Sequence, residues 1–319
     1  MTTPSPGLLY AVAGTVAALI VGSVVRLLLI RNASAEVASA RRQSLATWWI
    51  LVTLLCLAVL SGLPGTAVLM AMASGLGLRE YLRLAGGSEL NRVTKACAFG
   101  LVPLHYGSIA VGYSGIVRVF LPMAAVVLTS VFQVASGPVR GYIRSTTMAV
   151  WGILLLVYLP SFALFLFELP LPTLPQAGVA GWFLFLMILT EMDDIAQAIV
   201  GRRFGRHKMV PAISPNKSWE GFFGGLACTT GLAIVLAPWL TTFQNGRSPV
   251  GGIVMSAVAG AVIMVSGFFG DINMSAVKRD AGVKDGSRLL PGHGGMIDRI
   301  DSLTFTAPVF YGFVLAVCV

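Results

Sequence analysis

Charge is what this chain has least of. Only 11% of its 319 residues are Asp, Glu, Lys or Arg, against roughly 25% in an ordinary soluble domain. With 56% of residues hydrophobic and a mean hydropathy of +0.84, apolar runs recur from end to end. No stretch is left for an independent soluble domain of the usual ~100 residues. Cysteine is also scarce: Cys56, Cys97, Cys228 and Cys318 all sit inside apolar runs, with no CxxC or Cys/His pair at metal-ligand spacing. They read as packing residues. The opening segment MTTPSPG lacks Lys and Arg, and the run from Leu8 to Ile30 is too long for a signal peptide, so that run reads as a retained helix.

What is present is a series of membrane-length apolar runs. Bounded by charge, Pro or Gly, they fall at 8–30, 48–62, 65–78, 97–115, 119–135, 149–168, 179–198, 221–240, 251–270 and 304–319. The second and third are short and separated only by SGLPG at Ser61 to Gly65, a tight hairpin of thin spans or one bent helix with a re-entrant piece. The expected fold is therefore an all-α polytopic membrane protein with nine or ten transmembrane helices and its active site in cytoplasmic loops near the C-terminal half. We treat 1–319 as a single integral membrane domain, with an N-terminal helical part at 1–178 and a catalytic part at 179–319.

Threading ten spans through a bilayer puts 20 of the 22 Lys and Arg residues on one side, leaving only Arg118 and Arg247 opposite. Basic residues gather on the cytoplasmic face, so both termini lie outside and the protein is expected to be multi-pass in the cell inner (plasma) membrane. The formal charge of +9 then reads as a face that attracts anionic membrane lipids, with no nucleic-acid partner. Loop 199–220 and segment 271–303 are separated by two spans, so they face the same compartment and are able to build one site.

Segment 271–303 carries its charge between two apolar spans. Asp271 follows an apolar run directly, at a depth where ionisable groups are usually functional. Asp298 and Asp301 are three residues apart in DRID, which on a helix turns both toward one face. Three carboxylates at one boundary suggest a hard cation, Mg²⁺ before Zn²⁺, with phosphates completing the shell. Between them lies PGHGG, Pro291 to Gly295, whose glycines let backbone N–H groups approach phosphate oxygens. Lys278, Arg279, Lys284, Arg288 and Arg299 add the cations of a triphosphate cradle, although any one of them also fits the positive flank of a span. In the other loop, Glu191, Asp193 and Asp194 end the seventh run, and Ser214, Pro215, Asn216 and Lys217 precede Ser218, which reads as a helix cap.

The run Gly270, Asp271, Ser275, Lys278, Arg279, Lys284, Asp285, then Pro291 to Gly295, then Asp298, Arg299, Asp301 and Ser302 resembles the signature of the phosphatidate cytidylyltransferases, also called CDP-diacylglycerol synthases. GRRFGRHK and SPNKSWEG upstream resemble that family too, so the likeness covers roughly the C-terminal 40%. Gln197 and Ala198 depart from it, where many members carry Ala-Tyr.

The resemblance implies attack by a phosphatidate oxygen on the α-phosphorus of CTP, with pyrophosphate leaving. No general base is needed, because a phosphate monoester is already largely dianionic given a second pKa of about 6. It implies Asp271, Lys278, Asp298 and Asp301 as catalytic residues, with Asp271, Asp298 and Asp301 holding the metal. Ser214, Lys217, Ser275, Arg279, Lys284, His293, Gly294, Gly295 and Arg299 are the expected substrate-binding residues. It also implies Mg²⁺, a second cation such as K⁺, and a homodimer. The rival readings are a CTP-dependent kinase of polyprenol-type lipids, against which the intact charged run argues, and a transporter, which would spread charge over several spans in two repeated halves.

The topology is checked by labelling single cysteines in a cysteine-free background with an impermeant reagent. Position Gln244 reacts from outside intact cells and position Gly286 does not; the reverse pattern inverts the threading.

Overall fold

A computed structural model describes residues 4–30, 34–84, 90–136, 140–284, 286–287, 289–290, 292 and 294–319. Helices occupy all ten expected positions: α1 (Pro6–Ile30), α2 (Ala35–Leu60), α3 (Gly62–Leu84), α4 (Arg92–Ala110), α5 (Ser114–Ser136), α6 (Tyr142–Ile153) continuing into α7 (Leu159–Phe165), α8 (Gly181–Phe204), α9 (Trp219–Leu240), α10 (Pro249–Asp280), and the short α11 (Ile297–Ile300) leading into α12 (Leu303–Cys318). By length and composition alone, seven helices among the described residues are able to cross a membrane. The other three expected positions are filled by α3, α4 and α8, with 23, 19 and 24 residues. Apart from one two-stranded hairpin and an isolated bridge between Leu290 and Gly294 among the described residues, the protein is all-α and polytopic.

Several boundaries move from where hydropathy puts them. The SGLPG break separates two full-length helices of 26 and 23 residues, not thin spans. Gly62 turns the chain with φ +73°, a conformation that costs glycine little, and the Thr66 hydroxyl donates to the Ala58 carbonyl across the break at 3.2 Å. The segment from Asp271 to Asp280 is not a loop but the end of the 32-residue α10. That helix is about 48 Å long at 1.5 Å per residue, well beyond a hydrocarbon core of about 30 Å. What stops it is backbone chemistry: Gly282, at φ +72°, allows the N–H groups of Gly282 and Val283 to close on the carbonyls of Arg279 and Lys278.

Ser214–Lys217 is also not loop. It lies in β2 (Ser214–Ser218), paired antiparallel with β1 (Lys208–Val210). Ser218 ends that strand and caps α9, accepting from the Gly221 N–H at 3.2 Å.

Aromatic rings pack between α8, α12 and the turn after α9, with Trp182 edge-on to Phe243 at 4.9 Å and Phe185 stacked on Phe310 at 5.7 Å, centroid to centroid. Between α6 and α7 a π-helical turn at Leu154–Tyr158 offers the Val157 carbonyl to the Tyr106 hydroxyl at 3.0 Å, meeting a polar group that lipid would leave unpaired.

Helices α8 and α9 pack through small residues, as membrane helix pairs generally do. A Cβ on Gly225 would lie 2.5 Å from the Gln197 Cγ and 2.9 Å from an Asp193 oxygen, whereas one on Gly231 of the same helix would meet nothing within 4 Å. Gly225→Ala therefore destabilises the protein by about 1–3 kcal/mol through overpacking. Gly231→Ala leaves stability unchanged or raised, by the helix preference of Ala. Thermal unfolding of the two variants in one detergent checks this.

Candidate active site

The ends of α8 and α10, the hairpin and the segment around α11 enclose a cleft of about 570 Å³. Its walls carry Asp194, Gln197 and Ala198 from α8, Ser214, Asn216 and Lys217 from β2, Asp271 and Lys278 from α10, and Gly292, Gly294, Asp298, Arg299 and Asp301 beyond it. The two charged segments that parity assigns to one compartment thus line one cleft.

Two lysine–carboxylate pairs organise it. Lys217 Nζ lies 2.8 Å from Asp271 Oδ2, donates to Gln197 Oε1 at 2.9 Å and sits 5.3 Å from the centre of the Phe268 ring. Gln197 is itself held by Asp193, to which its Nε2 donates at 2.8 Å, and the Thr229 hydroxyl donates to the other Asp193 oxygen at 3.3 Å. Burial works against the Lys217 ammonium, but Asp271, Asp194 and Asp193 outweigh it and raise its pKa above the usual lysine value. The side chain therefore stays cationic in the cleft.

In the second pair Lys278 Nζ lies 2.6 Å from Asp298 Oδ1. The other Asp298 oxygen accepts from the backbone N–H groups of Gly286 at 3.1 Å and Gly295 at 2.9 Å. The glycine turn, expected to aim its N–H groups at phosphates, thus spends the Gly295 N–H on Asp298. Arg299 lines the cleft, and its buried Nε has no hydrogen-bond partner among the described residues.

The expected site residues divide accordingly. The cleft brings together Ser214, Lys217, Asp271, Lys278, Gly294, Asp298, Arg299 and Asp301. Ser275 instead donates to Asp271 Oδ1 at 3.3 Å along α10. Arg279 turns away to the carbonyls of Ile213 and Val283, at 3.1 and 3.2 Å, tying the hairpin to the end of α10. Lys284 is exposed and is not among the residues that line the cleft. His293, with Asp285, Arg288 and Pro291, lies outside the described residues. Asp194, Gln197 and Asn216 are wall residues that motif reading did not assign. The acidic end of an otherwise apolar run was the signal for Asp194, whose Oδ2 accepts from the Ser302 hydroxyl at 2.9 Å.

A model of the cytidylyltransferase family matches residues 42–317. The chain belongs to that family. The match extends far past the C-terminal 40% in which the motifs lie, so the N-terminal helices of this cytidylyltransferase share more with its relatives than hydropathy. YnbB of Escherichia coli (strain K12), an uncharacterised protein, is 37% identical over 272 residues, which cover 85% of this chain and 86% of that one. Phosphatidate cytidylyltransferase of Pseudomonas aeruginosa is 34% identical over 248 residues, 76% of this chain and 85% of that one. That of Mycobacterium leprae is 42% identical over 175 residues, 55% of this chain and 51% of the relative. This cytidylyltransferase is a multi-pass membrane nucleotidyltransferase.

Among the described residues no three Asp, Glu, His or Cys side chains are grouped closely enough to hold a metal ion. The expected trio of Asp271, Asp298 and Asp301 is thus not gathered as a ligand cage: Lys217 stands against Asp271, and Lys278 and the glycine turn against Asp298. Asp271 instead lies within electrostatic reach of Asp194 and Asp301. Such oxygen donors fit Mg²⁺, which commonly takes one or two carboxylates and fills its shell with water and substrate phosphates.

Asp298→Asn removes the charge opposite Lys278 and turns an amide toward two N–H donors. Breaking such a pair destabilises a protein by about 3–5 kcal/mol where it is buried, so the variant unfolds at lower temperature, and its folded fraction turns over more slowly because the turn beside Arg299 loses its anchor. Asp280→Asn, on the exposed end of α10, stays near wild type. Steady-state rates on size-homogeneous protein compare the two.

Proposed function

We propose that this cytidylyltransferase transfers CMP from CTP to phosphatidate, releasing pyrophosphate and CDP-diacylglycerol for phospholipid synthesis. The observation that carries the reading is the gathering of Lys217, Lys278 and Arg299 around one cleft at the end of membrane helices, with the Arg299 Nε buried and without a hydrogen-bond partner among the described residues. A cleft of this kind suits a substrate that is both polyanionic and anchored in lipid. The named activity of the P. aeruginosa and M. leprae relatives supports phosphatidate as acceptor.

A phosphate oxygen of the lipid attacks the α-phosphorus of CTP, a new P–O bond forms, and the bond from that phosphorus to the bridging oxygen of pyrophosphate breaks. No proton has to be removed, since the lipid phosphate is largely ionised near neutral pH. The work of the protein is positioning and charge neutralisation. In this reading Lys278 and Arg299 face the triphosphate, and Lys217, steadied by Gln197, faces the lipid phosphate and the charge developing at the α-phosphorus. Asp271 on the cleft wall, together with the substrate phosphates, would hold Mg²⁺, which would supply further neutralisation of phosphate charge. The 20-to-2 division of basic residues supports a cytoplasmic cleft in the plasma membrane.

Purified protein in detergent, given CTP labelled in the base, Mg²⁺ and phosphatidate, forms labelled lipid and an equal amount of pyrophosphate. Asp271→Asn abolishes both products and their dependence on Mg²⁺. Appearance of CDP with no pyrophosphate means γ-phosphoryl transfer, as in a lipid kinase, and rejects the reading.

A further inference from the structure

Helix α3, far from the motifs in sequence, reaches the glycine turn with a carboxylate. Glu80 is only 5% exposed. Its Oε1 accepts from the Ser287 hydroxyl and its Oε2 accepts from the Ile297 backbone N–H at 3.0 Å. Asp298, which follows the same segment, accepts from the N–H groups of Gly286 and Gly295. Four donors of segment 286–297 are therefore shared between two carboxylates, two to each. Both carboxylates lie against the backbone: a Cβ on Gly295 would lie 2.5 Å from Glu80 Oε2, and one on Gly294 would lie 2.7 Å from Asp298 Oδ2.

Burying a carboxylate is costly unless donors meet it, and hydrogen bonds to a charged acceptor are roughly twice as strong as neutral ones. A buried Glu that spends both oxygens on one turn holds that turn more firmly than a neutral side chain would. Glu80 is not among the residues that line the cleft, whereas Gly292, Gly294, Asp298 and Arg299 are. We infer that Glu80 is a positioning residue for CTP: it fixes the glycine turn so that these groups meet the nucleotide, without touching substrate itself. The inference rests on the use of CTP by this family and not on the identity of the lipid acceptor.

The test is CTP binding by purified protein in detergent with Mg²⁺ and no acceptor, set beside the steady-state KM of each substrate. Loss of charge-assisted hydrogen bonds of this kind weakens CTP binding in Glu80→Ala by about tenfold or more, while the acceptor KM stays within about twofold, the usual effect of removing no contact. Glu80→Gln, which keeps one acceptor oxygen, recovers part of the loss. Ser287→Ala weakens CTP in the same direction, and the double variant Glu80→Ala with Ser287→Ala is scarcely worse than Glu80→Ala, as for residues acting as one unit. Unchanged CTP affinity in folded Glu80→Ala, or equal losses for CTP and acceptor, overturns the inference. Should Glu80→Ala fail to accumulate, unchanged affinity in both Glu80→Gln and Ser287→Ala overturns it instead. Failure of the phosphatidate reading looks different: wild-type protein binds CTP but releases no pyrophosphate with phosphatidate.

Discussion

A carboxylate at the edge of a bilayer must be met by donors, and most of the site follows from how this chain meets that demand. Asp271 is answered by Lys217, Asp298 by Lys278 and two backbone N–H groups, Asp193 by Gln197 and Thr229, and Asp194 by Ser302. Each answer ties together elements distant in sequence: hairpin to α10, α10 to α11, α8 to α9, and α8 to the start of α12. The same contacts that make the charges tolerable where water thins out also set the shape of the cleft. Weak pairing would leave both an unstable protein and a shapeless site, so stability and preorganisation share one set of contacts here.

The helical architecture was readable from hydropathy because a span has to be apolar over a length that the bilayer dictates. Helix ends were not, because a helix continues for as long as backbone donors and acceptors find each other. The apolar run stops at Asp271, but α10 stops at the Gly282 turn. Residues assigned to a loop therefore stand on a rigid rod, with Ser275 and Arg279 spent on holding neighbouring structure. Lys217, Lys278, Asp298 and Arg299, which line the cleft, could be singled out because charge beside an apolar span demands an explanation. Gln197 was visible only as a departure from a familial pattern. Its place between Asp193 and Lys217 depends on two helices packing through glycine, which a one-dimensional pattern does not express.

Glu80 was missed for a related reason. It stands within the span of α3, between Arg79 and Tyr81, with nothing in its neighbourhood to separate it from the usual charged end of a membrane helix. Its use appears only when residues 207 and 217 positions later fold back onto it. The family match, which begins at residue 42, agrees with a first half of the chain that does more than fill the membrane.

The length of α10 also governs how the cleft responds to its surroundings. Asp271 and Lys278 ride on one continuous helix, seven residues and thus about 10 Å apart along its axis. The helix acts as a ruler between the two ion pairs. Bilayers of different thickness tilt helices or shift them along the membrane normal, and on a single rod both side chains move together. A joint between them would let each lipid composition set its own gap. The gap between the two ion pairs of the cleft is in that respect insulated from the membrane around it.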